Sequence, residues 1–139
     1  MNIKKLLMGG ITGGVLFFLL GWVIYGMLLM NFMNTHPGTA GNIGKNPPDF
    51  LYLIIGNLSM GFLMAYIFIK AGINSLGSGF ITGGVIGLLM AVGYDCTMYA
   101  TTTVISKTAM AADVAAATVM SALVGAAVGA IMGMGKKTA

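Results

Sequence analysis

The sequence contains no glutamate and no arginine, one cysteine, one histidine and three prolines in 139 residues. Only 7% of residues are charged, against about a quarter in a soluble domain, and this excludes a chain built for water. The lone Cys96 excludes an intramolecular disulfide and any CxxC metal or redox motif. No Ser/His/Asp arrangement, P-loop, dinucleotide fingerprint or HExxH motif occurs, and the expectation is that the protein is not an enzyme. All seven basic residues are lysine and all three acidic residues are aspartate. They sit almost entirely at the ends of apolar runs, so the net charge of +4 reads as membrane anchoring and not as a nucleic-acid patch.

What remains is apolar: 58% of residues are hydrophobic and the mean hydropathy is +0.94. At about 20 residues per span, the length accommodates four membrane crossings and no separate domain. The runs 6–30, 50–69, 80–100 and 114–134 supply them, which predicts an all-α polytopic membrane protein, a bundle of four transmembrane helices. Lys4 and Lys5 before the first run could open a signal peptide. The run lacks an A-x-A cleavage pattern and continues to about Met30, so it reads as a retained helix. The second run has helix start and stop chemistry, Pro47-Pro48-Asp49 before it and Lys70 at its end. Loops are expected over 34–48, 71–78 and 102–112. Lys4, Lys5, Lys70, Lys136 and Lys137 fall on one side and Lys45 and Lys107 on the other. That asymmetry predicts both termini in the cytoplasm, with the protein in the inner (plasma) membrane and the lipid bilayer as its surroundings.

The chain also reads as a duplication. Ile81-Thr82-Gly83-Gly84-Val85 repeats Ile11-Thr12-Gly13-Gly14-Val15 at an offset of 70, while Asp49/Asp113, Asn57/Ser121 and Gly61/Gly125 pair at an offset of 64. A two-helix unit present twice, over 6–70 and 79–134, accounts for both offsets, and parallel repeats of this kind occur among transporters. Small residues recur at every fourth position: Gly10/Gly14, Gly79/Gly83/Gly87 and Ser121/Gly125/Gly129/Gly133. Such ladders let helix backbones approach closely, within one chain or between copies of a homo-oligomer or a membrane-protein partner.

Asp95 is the sharpest residue, because a carboxylate within a membrane helix costs about 2.5–3.5 kcal/mol on insertion scales and is tolerated when paired or hydrated. Tyr25 is its counterpart in the first copy. With Asn57 and Ser121 they are expected to form a polar layer in the outer half of the membrane, serving either helix packing or a conducting or binding site. Asp49 and Asp113 read as first-turn residues explained by capping. Met27, Met30, Met33 and His36, with Cys96 and Met98, resemble soft-metal ligands for Cu(I). Three-residue steps rotate around a helix, so they do not converge, and methionine as adaptable filler is the stronger reading. No metal and no cofactor are expected. The triplet Asn57-Leu58-Ser59 fits glycosylation but lies within a span.

The stretch Leu20-Gly21-Trp22-Val23-Ile24-Tyr25-Gly26, followed by a Gly-rich third helix, resembles a small uncharacterised bacterial family of four-span inner-membrane proteins. That resemblance implies the four-span fold and no known activity. Small multidrug-resistance transporters share the size and span count, but they need a first-helix glutamate and this chain has none. The sequence thus points to a structural or accessory membrane component that self-associates through Gly-rich faces. A small proton-linked transporter or channel using Asp95 is the alternative.

Overall fold

The computed structural model describes residues 1–135, so Lys136 and Lys137 of the lysine asymmetry lie outside the described residues. Four helices are long and apolar enough to cross a membrane, and no strand occurs among the described residues. The chain is an all-helical, multi-pass membrane protein.

Helix α1 (Ile3–Gly21) starts where the Asn2 side chain accepts from the Lys5 amide at 3.1 Å. Instead of running unbroken to Met30, it widens into a π-helical segment, Trp22–Leu28, closed by Leu29 N–H donating five residues back to the Ile24 carbonyl at 2.7 Å. Gly26 makes room for the Trp22 indole there, since a Cβ would fall 2.8 Å from its Cδ1. A short α2 (Met30–Thr35) then carries the chain into the loop before the second span. Helix α3 (Phe50–Ala71) follows Asp49, an N-cap whose side chain makes no capping bond, and ends at Gly72, whose φ of 71° suits glycine.

Helices α4 (Leu76–Thr101) and α5 (Lys107–Gly133) both start earlier than the apolar runs suggest. Ser75 accepts from the Ser78 amide at 3.2 Å and Ser106 from the Ala109 amide at 3.1 Å. Each cap satisfies an orphan donor. The Ala-rich stretch after Ser106 is strong helix former, so what reads as a polar link over 102–112 is helix from Lys107 onward. Asp113 therefore lies a turn and a half inside α5, and its assignment as a first-turn cap is corrected.

Neighbouring helices pack antiparallel. Helix α5 rests on α4 and on α1, and α1 rests on α3. Between α4 and α5 the backbones nearly touch: a Cβ on Gly83 would lie 2.8 Å from the Gly125 Cα, and one on Gly129 would lie 2.9 Å from the Gly79 Cα. The same closeness joins α1 to α3, where a Cβ on Gly14 would lie 2.8 Å from the Leu58 Cα. Gly14, Gly83, Gly125, Gly129 and Gly133 meet backbone of this chain in that way, while Gly10 meets the Phe62 ring and Gly87 chiefly the Ser121 side chain.

Toward the end that holds the N-terminus, Phe17, Met64, Ala65, Phe68, Val124, Val128 and Met132 fill the space between α1, α3 and α5. With lipid on the outside, dispersion from such filling is what holds the helices together. The Lys5 ammonium closes this end by donating to the Met132 carbonyl at 2.6 Å, at the negative pole of α5. The molecule is thus packed and apolar on the side of its termini.

Candidate functional site: a carboxyl pair beneath a loop strap

The ladder between α4 and α5 fixes what lies above it. Gly79 faces Gly125 and Gly129, Gly83 faces Ser121 and Gly125, and Gly87 faces Ala117 and Ser121. Each four-residue step forward on α4 is one step back on α5, as antiparallel packing of two regular helices requires. Two further steps bring Asp95 opposite Asp113 and Ala109. That register brings the two carboxyls together, and Tyr25, from the π-helical segment of the first span, lines the same cavity as Asp113. Asp95 stands six residues from the C-terminal end of α4 and Asp113 six from the N-terminal end of α5, about 9 Å in at 1.5 Å per residue.

Asp95 is buried, with 3% of its surface exposed, and its Oδ2 has no hydrogen-bond partner. Two ionised carboxylates present only acceptors to each other, so neither can satisfy its neighbour. One proton on the pair changes this: a carboxylic O–H donates to the facing carboxylate, forming a charge-assisted bond and halving the buried charge. The Tyr25 hydroxyl supplies a donor in the cavity that Asp113 lines.

The loop between the first and second spans roofs the site. Gly38 N–H donates to the Val104 carbonyl at 3.2 Å, Ala40 N–H to Thr103 at 3.0 Å, and the Ser106 hydroxyl to His36 at 2.7 Å. These bonds strap residues 36–40 across the α4–α5 connection. Gly38 is required for that approach, because a Cβ would fall 2.6 Å from the Val104 carbonyl carbon. Under the strap lies an open cavity of about 390 Å³, lined by Tyr25 and Asp113 together with Met33, Ile43, Val104 and Ile105. Asp95 sits behind Asp113, away from the cavity wall.

Of the polar layer expected from the sequence, Asp95 and Tyr25 share this site through Asp113, whereas Asn57 and Ser121 do not join it. Asn57 donates to the Leu53 carbonyl of its own helix at 2.7 Å and lies level with Gly14, near the middle of the first span. Ser121 is buried against Gly87, about 12 Å down α4 from Asp95 at the helical rise. Because α5 starts at Lys107, Ser121 lies fourteen residues inside the helix, deeper than its place in the apolar run suggests. Asp113 takes the place of both.

The soft-metal residues do not converge. Met27 and Met30 are exposed, His36 stacks on Phe32 at 4.4 Å, and Cys96 is exposed on α4. Among the described residues no group of three His, Cys, Asp or Glu side chains is placed to hold a metal ion. Comparison with protein families, with curated proteins and with solved structures finds no match for this chain.

Proposed function

We propose that the protein is a small proton-linked transporter or channel whose proton site is the Asp95–Asp113 pair. The observation that carries this reading is the buried, unpartnered Oδ2 of Asp95, set against a second carboxyl at the floor of an open cavity. A group kept for helix packing alone would have its hydrogen bonds made, since an unsatisfied buried acceptor costs about 1–3 kcal/mol. Intramembrane carboxylates that face a cavity mark proton and ion pathways. The cavity opens at one end and the apolar core closes the other, an arrangement suited to loading from one side at a time. No step in it requires an enzyme's chemistry.

Proteoliposomes enclosing a pH-reporting dye test the reading, with sodium and alkylammonium salts on the opposite side as counter-substrates. An imposed pH gradient is expected to collapse at least about tenfold faster with the wild type than with Asp95→Asn, a barrier difference of about 1.4 kcal/mol. Equal rates would return the protein to the other reading, an accessory membrane component that self-associates. Under that reading its contact surface would lie on the outward faces of the helices, because the small-residue ladders are occupied within the chain.

The duplicated two-helix unit belongs to the same proposal. Its support is that α1–α3 and α4–α5 are both antiparallel pairs that close at Gly13/Gly61 and Gly83/Gly125, positions offset by the same 70 and 64 residues as the sequence repeats. The likeness of Leu20–Gly26 to the four-span bacterial family remains part of this reading, as does an inner-membrane location.

Cytoplasmic termini follow from the lysines and set which way the cavity faces. In a Cys96→Ala background, single cysteines at Lys45 and Lys70 give the check. An impermeant thiol reagent added to intact cells is expected to label position 45 and spare position 70. The reverse pattern would invert the topology and place the cavity on the cytoplasmic side.

A further inference from the structure

The cavity under the strap is more than an entry for protons. Its wall is mostly apolar, with Met33, Ile43, Val104 and Ile105 around one aromatic ring, Tyr25, and one carboxyl, Asp113. At about 390 Å³ it falls within the range of about 300–1,000 Å³ that small-molecule sites occupy. We propose that this cavity binds a small organic monocation of the alkylammonium class, held by the negative charge of the Asp95–Asp113 pair.

Three features select that class. An anion is repelled by two carboxyls with no lysine lining the cavity. A divalent metal finds too few ligands, since no third His, Cys, Asp or Glu joins the pair among the described residues. An ammonium with apolar substituents matches every part of the wall: carboxylate for its charge, the Tyr25 ring for cation–π attraction, and methionine and branched side chains for its carbon.

The inference rests on the proton-linked reading and extends it. With one proton shared, the pair carries a single negative charge, which the ammonium balances. A second proton cancels that charge and releases the ammonium, so the two cations occupy the site in turn. The groups that face Asp95 are Asp113 from α5 and, through it, Tyr25 from the first span. Lys107 does not reach the pair: its ammonium lies 5.8 Å over the Tyr99 ring at the helix end.

Calorimetric titration of the purified full-length protein with tetraethylammonium chloride, at constant ionic strength, tests the proposal. Saturable binding is expected, weakening as pH falls and reduced at least about tenfold in Asp113→Asn, with sodium chloride giving none. The Asp49→Asn protein serves as a control outside the site and should bind as the wild type does. Elution volume and helix content confirm that Asp113→Asn folds; if it does not, Tyr25→Phe and Tyr25→Leu replace it, the former retaining and the latter losing the aromatic contact. Sodium binding as tightly as tetraethylammonium, or binding unchanged in every site variant, would overturn the assignment. Absence of ammonium binding while the carboxyl pair still takes up and releases a proton would overturn this inference alone, and absence of both would remove the proton-linked reading with it.

Discussion

Leucine in place of Gly125 is expected to separate α4 from α5 and lower stability by about 3 kcal/mol or more. At that position a Cβ already meets the Gly79 carbonyl and falls 2.8 Å from the Gly83 Cα, so the obstruction is backbone, which cannot rotate away. Overpacking a core against movable side chains costs about 1–3 kcal/mol. Here the helices must move apart along a ladder of several turns, and the dispersion contacts of that ladder are what holds them in a solvent of lipid tails. The site should suffer with the fold, because Asp95 and Asp113 meet only through the register set by that ladder. Thermal unfolding in detergent checks the effect, and Gly129→Leu, aimed at the Gly79 backbone one turn away, should behave alike. A Gly125→Leu protein that melts with the wild type would mean that this face of α5 points at lipid.

The second large effect is loss of function with stability kept. Asp95→Asn keeps the shape of the side chain and puts a permanent N–H donor where the carboxyl pair holds its shared proton. That N–H can donate to Asp113 as the carboxylic O–H does, so the buried charge is unchanged and the stability at neutral pH is expected to match the wild type within about 1 kcal/mol, the net worth of one hydrogen bond. The same variant cannot pick up or release a proton at position 95, so proton-linked activity is expected to vanish. Kept stability with lost activity is the pattern of a group placed for proton exchange. An Asp95→Asn protein that retains the full rate of proton exchange would show that the aspartate serves packing.

Much of this architecture is legible in the sequence, for physical reasons that can be located. Four long runs almost free of charge permit little besides spanning helices, and the four-residue recurrence of glycine marks the faces that touch. Asp95 stood out because a lone carboxylate in such a run is costly. Its partner was legible too. Continuing the ladder Gly129, Gly125, Ser121 back through Ala117 arrives at Asp113, just as Gly79, Gly83, Gly87 and Ala91 lead to Asp95. Asp113 was hidden by placing the start of the last helix at the start of its most apolar run, where alanine and a serine cap begin it earlier.

Other features were not available to a reading of periodicity. The π-helical turn that aims Tyr25 depends on how Gly26 packs beside Trp22, a contact with no periodic signature. The strap over the cavity rests on backbone hydrogen bonds between two loops, and backbone groups carry no residue code beyond the glycine that lets them approach. Asn57 and Ser121 were matched to Asp95 by depth alone. Depth within one helix does not fix which residue faces which across a bundle; only the packing register does.

Infrared spectroscopy of the protein's carboxyl groups tests the central claim most directly. The chain suits the measurement, having three aspartates and no glutamate, so few carboxyls contribute. Asp49 is exposed and lies outside the site. If Asp95 and Asp113 share a proton, the wild type at neutral pH shows one protonated carboxyl stretch, shifted by strong hydrogen bonding, and that signal is lost in both Asp95→Asn and Asp113→Asn. A wild-type spectrum with every aspartate ionised at neutral pH would contradict the account.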